Sequence, residues 1–272
     1  MATPNQPFDL VAQDYDATFT YTETGRLQRA RVHHFLSEYL AETAVMKVLE
    51  VNCGTGEDAC WLAQEGKKVD ASDISAGMIE RAEQKRQQLP LSIQANLRFT
   101  AQSITDLNPP EQGQAYDLVF SNFGGLNCLS PQELHDFLAQ CQSLVRPGGY
   151  LVLVVMGRFC WWESLYFLLK GKMGTAFRRI RRKPTAAQLD ADTTIATWYY
   201  SAQDISKSLN NFRLSTLQPI GFWLPPSYLD NFFRKRPRIL QTLDWLEKKT
   251  SFGHWAADHY FLALQRQDES GE

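Results

Sequence analysis

The chain is predicted to be an α/β protein, doubly wound around a mainly parallel sheet. Three observations carry this. Short apolar runs alternate with helical stretches from Val45 to Val155, the pattern of successive βαβ units. A glycine-containing turn follows the first apolar run and leads straight into a helix. The length of 272 residues suits one large α/β domain or a core carrying an insertion.

The elements follow in order. "YTETGRLQRARVHHFLSEYL" reads as an amphipathic helix that covers one face of the sheet or the mouth of a site. "VMKVLEV" is the first strand, and "EDACWLAQEG" is a helix stopped by Gly66. "KVDASDI" is the second strand, followed by a helix that Ser75 is placed to cap. "LRFTAQSI", "AYDLVFSNF" and "YLVLVVM" are the third to fifth strands, the last preceded by the helix "PQELHDFLAQCQSLV" and the turn "RPGG". The stretch "RFCWWESLYFLLKGKMGTAFRRIRRK" then reads as a helical lid inserted where the next strand would be expected. "SAQDISKSLNN" is a helix, "FRLSTLQPIGFW" a strand, two short helical pieces surround Pro237, and "DHYFLALQR" closes the sheet. The expected organisation is a core over residues 1–156, a lid over 157–200 and completion of the core over 201–272.

A formal charge of -2, from 28 basic and 30 acidic residues, makes no overall case for nucleic acid or an anionic membrane. Seven basic residues and no acid lie between Lys170 and Lys183; a solvated helix face explains them most simply, with RNA or peripheral membrane contact not favoured. The five cysteines form neither a CxxC pair nor a metal-binding spacing with the histidines, so a reduced, cytoplasmic setting is expected and no metal. The start of the chain shows no secretory pattern, and no run has the length of a membrane span.

In an open parallel sheet, ligands bind where the first strand turns into its helix. There "NCGTGEDA" places Gly54, Gly56 and Ala59 at the G-x-G-x-x-A spacing of a dinucleotide turn, with Asp73 at the distance of a ribose-binding acid. A nicotinamide oxidoreductase is therefore one reading. Against it, Glu57 and Asp58 occupy the helix N-terminus where a pyrophosphate would sit. S-adenosylmethionine has no phosphate and carries positive sulfonium and ammonium centres, so acids there do no harm.

"EVNCGTG", with Asp73, "SNFGG" and "RPGGYLVLVV" in that order, resembles the class I S-adenosylmethionine-dependent methyltransferases over roughly residues 8 to 160. The resemblance implies a Rossmann-like sheet of seven strands with the last antiparallel, and S-adenosylmethionine as cofactor. It implies that Glu50 shapes the loop near the cofactor's amino group and that Gly54 and Gly56 admit the methionine portion. Asp73 would accept the ribose hydroxyls, Ile74 and Met78 would contact ribose and adenine, and Ser103 with Ile104 would meet the adenine edge. Asn122 and Phe123 would face cofactor and substrate, and Tyr15, in a "YD" segment, would close over the cofactor, with Arg26 or Arg29 near its carboxylate. Two positions depart from the family pattern. Asn52 replaces a glycine, a residue type that still tolerates positive φ, and Ser103 stands where an aspartate is common.

Methyl transfer needs alignment and, for some acceptors, a base. No local acid–base pair stands out. His33 and His34 are weak candidates, and His254 and His259 weaker still. Trp161, Leu165, Leu168 and Leu169 fall at helical spacing, a stripe that is either core or the inner face of a lid. Arg158 is placed to hold an acidic acceptor or to pair with Glu163. The expected activity is methylation of a small, partly apolar molecule. A non-catalytic cofactor-binding protein, and an RNA or isoprenoid acceptor, are the alternatives.

Overall fold

Residues 6–42, 46–107, 115–189 and 193–268 are described in the computed structural model. Helix α1 (Pro7–Val11) and a π-helical turn (Asp16–Thr20) precede the long helix α2 (Glu23–Glu42). The parallel sheet is then laid down as β1 (Lys47–Val51), α3 (Glu57–Gln64), β2 (Lys68–Asp73), α4 (Ala76–Gln87), α5 (Leu91–Gln94), β3 (Leu97–Ala101), β4 (Tyr116–Ser121), α6 (Pro131–Leu144) and β5 (Val145–Met156). Sequence boundaries hold where local chemistry sets them. Ser75 caps α4 by accepting the Met78 N–H at 3.1 Å, and Gly66 ends α3 with φ 80°. Helix α6 opens on a reciprocal Ser130–Glu133 capping box with Pro131 in its first turn.

Next come α7 (Trp161–Leu169), α8 (Met173–Ala176), the hairpin of β6 (Thr185–Gln188) and β7 (Thr194–Thr197), and α9 (Ala202–Ser206). Strand β8 (Phe212–Ile220), helices α10 (Asp230–Arg234) and α11 (Pro237–Lys249) and strand β9 (His259–Arg266) complete the chain. The insertion is therefore not helical throughout. Its second half is a two-stranded sheet of its own.

The main sheet has seven strands in the order β3-β2-β1-β4-β5-β9-β8. The final strand in the chain, β9, is antiparallel, as expected, and lies between β5 and β8. Along β5, Val152 and Val154 belong to one core with Phe35, Leu36 and Tyr39 of α2, while Leu151, Leu153 and Val155 belong to the other with Leu134, Phe137 and Leu138 of α6. Side chains alternate at period two, so a strand covered on both faces must be apolar throughout. Because β9 runs backwards, its first residues reach the edge where the parallel strands end: Met156 pairs with His259. No helix among the described residues is long and apolar enough to cross a membrane.

Candidate functional site

A cavity of about 740 Å³ lies at the carboxyl edge of the sheet. At one end are the glycine turn after β1, the end of β2, Ser103 and Ile104 after β3, and Asn122 after β4. The turn is shaped by positive φ at Asn52 (56°), Gly54 (52°) and Gly56 (73°). A Cβ at Gly56 would stand 2.6 Å from the Phe99 ring, whereas one at Gly54 would meet nothing within 4 Å. Gly56 thus serves packing behind the turn, and Gly54 leaves space in front of it. Asp73 ties the turn to β2, accepting the Gly54 N–H on Oδ2 and the Ser75 N–H on Oδ1, both at 2.9 Å. Its burial nevertheless pushes its carboxyl up, against those two bonds.

The N-terminal segment closes this end. Asp9 of α1 accepts the Ser75 hydroxyl at 2.5 Å and the Gly77 N–H at 2.9 Å. Asp16 accepts the Thr55 hydroxyl at 2.6 Å and pairs with Lys85 at 2.9 Å. Between these two clasps Tyr15 lines the cavity, its ring 5.5 Å from that of Phe19.

The acids at the start of α3 are less available than their sequence position suggests. Glu57 pairs with Lys85 at 2.8 Å. Asp58 is bound by Arg29, by His33 at 2.7 Å and by the Asn122 amide at 2.9 Å. Burial would raise its carboxyl, but Arg29 and His33 hold it well below the usual carboxylate range. Glu50, near the end of β1, is placed differently. It is 1% exposed, and its Oε2 has no hydrogen-bond partner among the described residues. Burial, reinforced by the charges of Asp58 and Asp73, pushes it well above the ordinary carboxylate range.

Arg29 reaches the cavity from α2 with its guanidinium 5.1 Å from the Phe123 ring. Arg26 sits over Tyr21 at 5.6 Å on the exposed surface. The other end of the cavity is lined by Phe19, Phe123 and Met156 and by Leu189 and Ile195 of the hairpin region. Asn127 holds that hairpin against β5, accepting the Met156 N–H at 2.9 Å and donating to Trp198 O at 2.6 Å. Glu163, Arg178, Arg179, Asp258 and His259 also line this end. His259 lies edge-on to Phe123 at 5.3 Å, and its Nδ1 is 3.4 Å from Asp258 Oδ2.

The structure thus brings together Tyr15, Glu50, Asn52, Gly54, Asp73, Ile74, Met78, Ser103, Ile104, Asn122 and Phe123 around one cavity, with Gly56 just behind it. It does not bring the others there. His33 is stacked on Trp61 at 3.8 Å, and His34 is exposed beside Glu38. Arg158 pairs with Asp204 at 3.0 Å rather than with Glu163, and it lines a separate cavity of about 320 Å³ beside α6. Trp161 donates its indole N–H to Phe222 O and packs among Trp162, Phe222 and Trp223. Leu165, Leu168 and Leu169 point outward.

A family model for the methyltransferase domain matches residues 48–149, from the first strand to the turn within β5. A demethylmenaquinone methyltransferase of Beutenbergia cavernae is 30% identical over 184 residues, covering 66% of this chain and 70% of the relative. The chain belongs to the class I S-adenosylmethionine-dependent methyltransferases. Another demethylmenaquinone methyltransferase, from Clavibacter sepedonicus, is 31% identical over 146 residues, 54% of this chain and 55% of that protein. The chain thus spans little more than half the length of that relative. The CcbJ methyltransferase from Streptomyces caelestis shares the fold over 98% of this chain and 100% of its own, with a TM-score of 0.63 and 16% identity.

The cofactor of this class fits what the first end of the cavity offers. Glu50, enclosed and with Oε2 unpartnered among the described residues, suits a ligand carrying an ammonium group, which would favour its ionised form. The open space in front of Gly54 lets a ligand lie directly on the backbone.

Proposed function

We propose that this chain transfers a methyl group from S-adenosylmethionine to a small, partly apolar acceptor. The observation that supports this most is a single cavity with a glycine turn and a buried acid with one unpartnered oxygen at one end and an aromatic, ionisable chamber at the other. S-adenosylmethionine supplies a methyl group on a positive sulfur, open to in-line attack. Asp73 would hold the ribose, Glu50 the ammonium group, Gly54 and Asn52 the methionine portion, and Ile74, Met78, Ser103 and Ile104 the adenosine. Tyr15 would cover the donor, while Phe123 and Asn122 would separate it from the acceptor.

His259 is the group placed to take the acceptor's proton. Asp258 stands beside its Nδ1, and Nδ1 is the enclosed nitrogen, which leaves Nε2 for the chamber. If a hydroxyl is methylated, its oxygen forms the new carbon bond as the sulfur–carbon bond breaks, the pair returns to sulfur, and the proton goes to Nε2. His259→Asn should lower kcat by about 10²–10⁴-fold while leaving donor affinity unchanged by calorimetry. S-adenosylmethionine should raise the melting temperature and NAD(H) should not; the reverse would refute the assignment.

Glu50 links binding to pH. Its raised folded value means the free protein loses stability as pH rises from the unfolded carboxylate value, about 4.3, through the folded one. A cationic donor favours the ionised form, so donor affinity should increase with pH across that window. Calorimetry in buffers of different ionisation heat should show proton release on binding, and Glu50→Gln should abolish it.

A further inference from the structure

We propose that the face built from α7, α8 and residues 228–255 docks on an anionic lipid bilayer. Twelve of the eighteen large apolar or aromatic side chains that are exposed among the described residues fall within 165–180 and 228–255. They include Leu169 at 81%, Met173 at 67%, Trp245 at 58% and Trp255 at 66% exposure. Such a concentration is unusual for a surface meant only for water.

Ring contacts join residues 159–166 to the second stretch. Tyr166 lies 5.7 Å from Tyr228, Trp162 lies 5.6 Å from Phe233, and Phe159 stacks on Trp255 at 6.0 Å. Helix α7 therefore adjoins both the α10 region and the loop before β9. It is fastened through its inner side, where Trp162 donates to Trp223 O at 3.0 Å, and this leaves its leucines outside.

The charge on this face is one-sided. Residues 165–183 and 228–255 hold eleven exposed lysines and arginines. Their three acids are already engaged. Asp230 is buried and accepts the Thr24 N–H, Glu247 is buried beneath the backbone N–H groups of residues 221–224, and Asp244 pairs with Lys248 at 2.6 Å. A chain of net charge -2 has thus gathered cations around its most apolar surface.

That combination selects the occupant. Aliphatic Leu169, Met173 and Ile180 gain nothing from a hydrated phosphodiester backbone, whereas they can enter the acyl boundary while Trp245 and Trp255 sit at headgroup level. A second copy seated face to face would oppose eleven exposed cations with eleven more. Each basic residue close to an anionic leaflet strengthens partitioning by about five-fold. Tyr228 belongs both to this face and to the cavity wall, so docking would set the acceptor chamber beside the bilayer. The docking itself does not depend on the methyl-transfer reading.

The test is co-sedimentation of the full chain with vesicles of phosphatidylcholine containing about one third phosphatidylglycerol, against phosphatidylcholine alone. Binding should be at least about ten-fold stronger on the anionic vesicles and weaken in high salt. A Leu169→Glu/Met173→Glu variant should lose about ten-fold in vesicle affinity while keeping its melting temperature and its affinity for S-adenosylmethionine. Equal binding to both vesicle types, no binding, or an unaffected double variant would overturn the proposal. So would a dimer in analytical ultracentrifugation that the double variant dissolves without any vesicle binding by the parent.

Discussion

Asp73→Ala should weaken S-adenosylmethionine binding by at least about 100-fold, the equivalent of two hydrogen bonds to a charged group at about 1.5–3 kcal/mol each. The carboxylate sits at the end of β2 on the cavity wall. Each oxygen already accepts one backbone N–H, from Gly54 and from Ser75. Those bonds fix its direction and leave lone pairs for a ribose. The same bonds mean that alanine also loosens the glycine turn, so affinity should be read beside the melting temperature. Asp73→Asn keeps the shape and one carbonyl acceptor, and it should fall between the two. Titration calorimetry giving wild-type affinity for a folded Asp73→Ala protein would remove Asp73 from the site.

The glycine-turn end of the cavity was legible because its signals are local. A strand, a turn needing positive φ and an acid at the next strand's end are all written within 26 residues, from Val48 to Asp73. Asn52 does adopt the left-handed conformation that its residue type allows. The argument from Glu57 and Asp58 was less sound, since Lys85 and Arg29 balance them from other elements. Charge at a helix start can be judged only with its tertiary partners. Glu50, whose Oε2 has no hydrogen-bond partner among the described residues, carries the electrostatic case instead.

The other end of the cavity was legible only at Phe123, for the opposite reason. His259 lies more than 200 residues beyond the glycine turn and reaches the cavity because β9 runs antiparallel to β5, so that its beginning lies beside the end of β5. The usable signal was the pair Asp258–His259 at the start of the closing strand. The basic stretch was legible in part. Composition suggests a solvated face, and Lys170, Lys172, Arg181, Arg182 and Lys183 are exposed as it requires, but Arg179 is buried and Arg178 is drawn inward by Glu163. The apolar stripe of α7 was split in turn, with Trp161 and Trp162 packing inward and the leucines left outside. The hairpin's four-residue strands offered too little alternation to be read against a helical background.

Glu163→Ala should destabilise the fold by about 3–5 kcal/mol, the cost of leaving a buried charge unpaired. Glu163 accepts from Arg178 at 2.8 and 3.0 Å and from Arg179 at 3.1 and 2.9 Å. Arg179 in turn donates to Asp258 O at 2.9 Å and Asp258 Oδ1 at 2.7 Å. One carboxylate therefore joins the insertion to the residues that present His259. At about 2–4 °C per kcal/mol for a chain of this size, the melting temperature should drop by roughly 10 °C. Glu163→Gln, which keeps the volume and one acceptor, should lose less. The Asp258 end of this network should resist acid. Although burial opposes it, His259 and Arg179 hold Asp258 far below the ordinary carboxylate range, so its contribution is present above the unfolded value and vanishes only as pH falls through the folded one. A thermal scan in which Glu163→Ala melts with the parent would mean that the two arginines find water or other partners, and that the insertion is held by the Trp161 and Trp162 contacts alone.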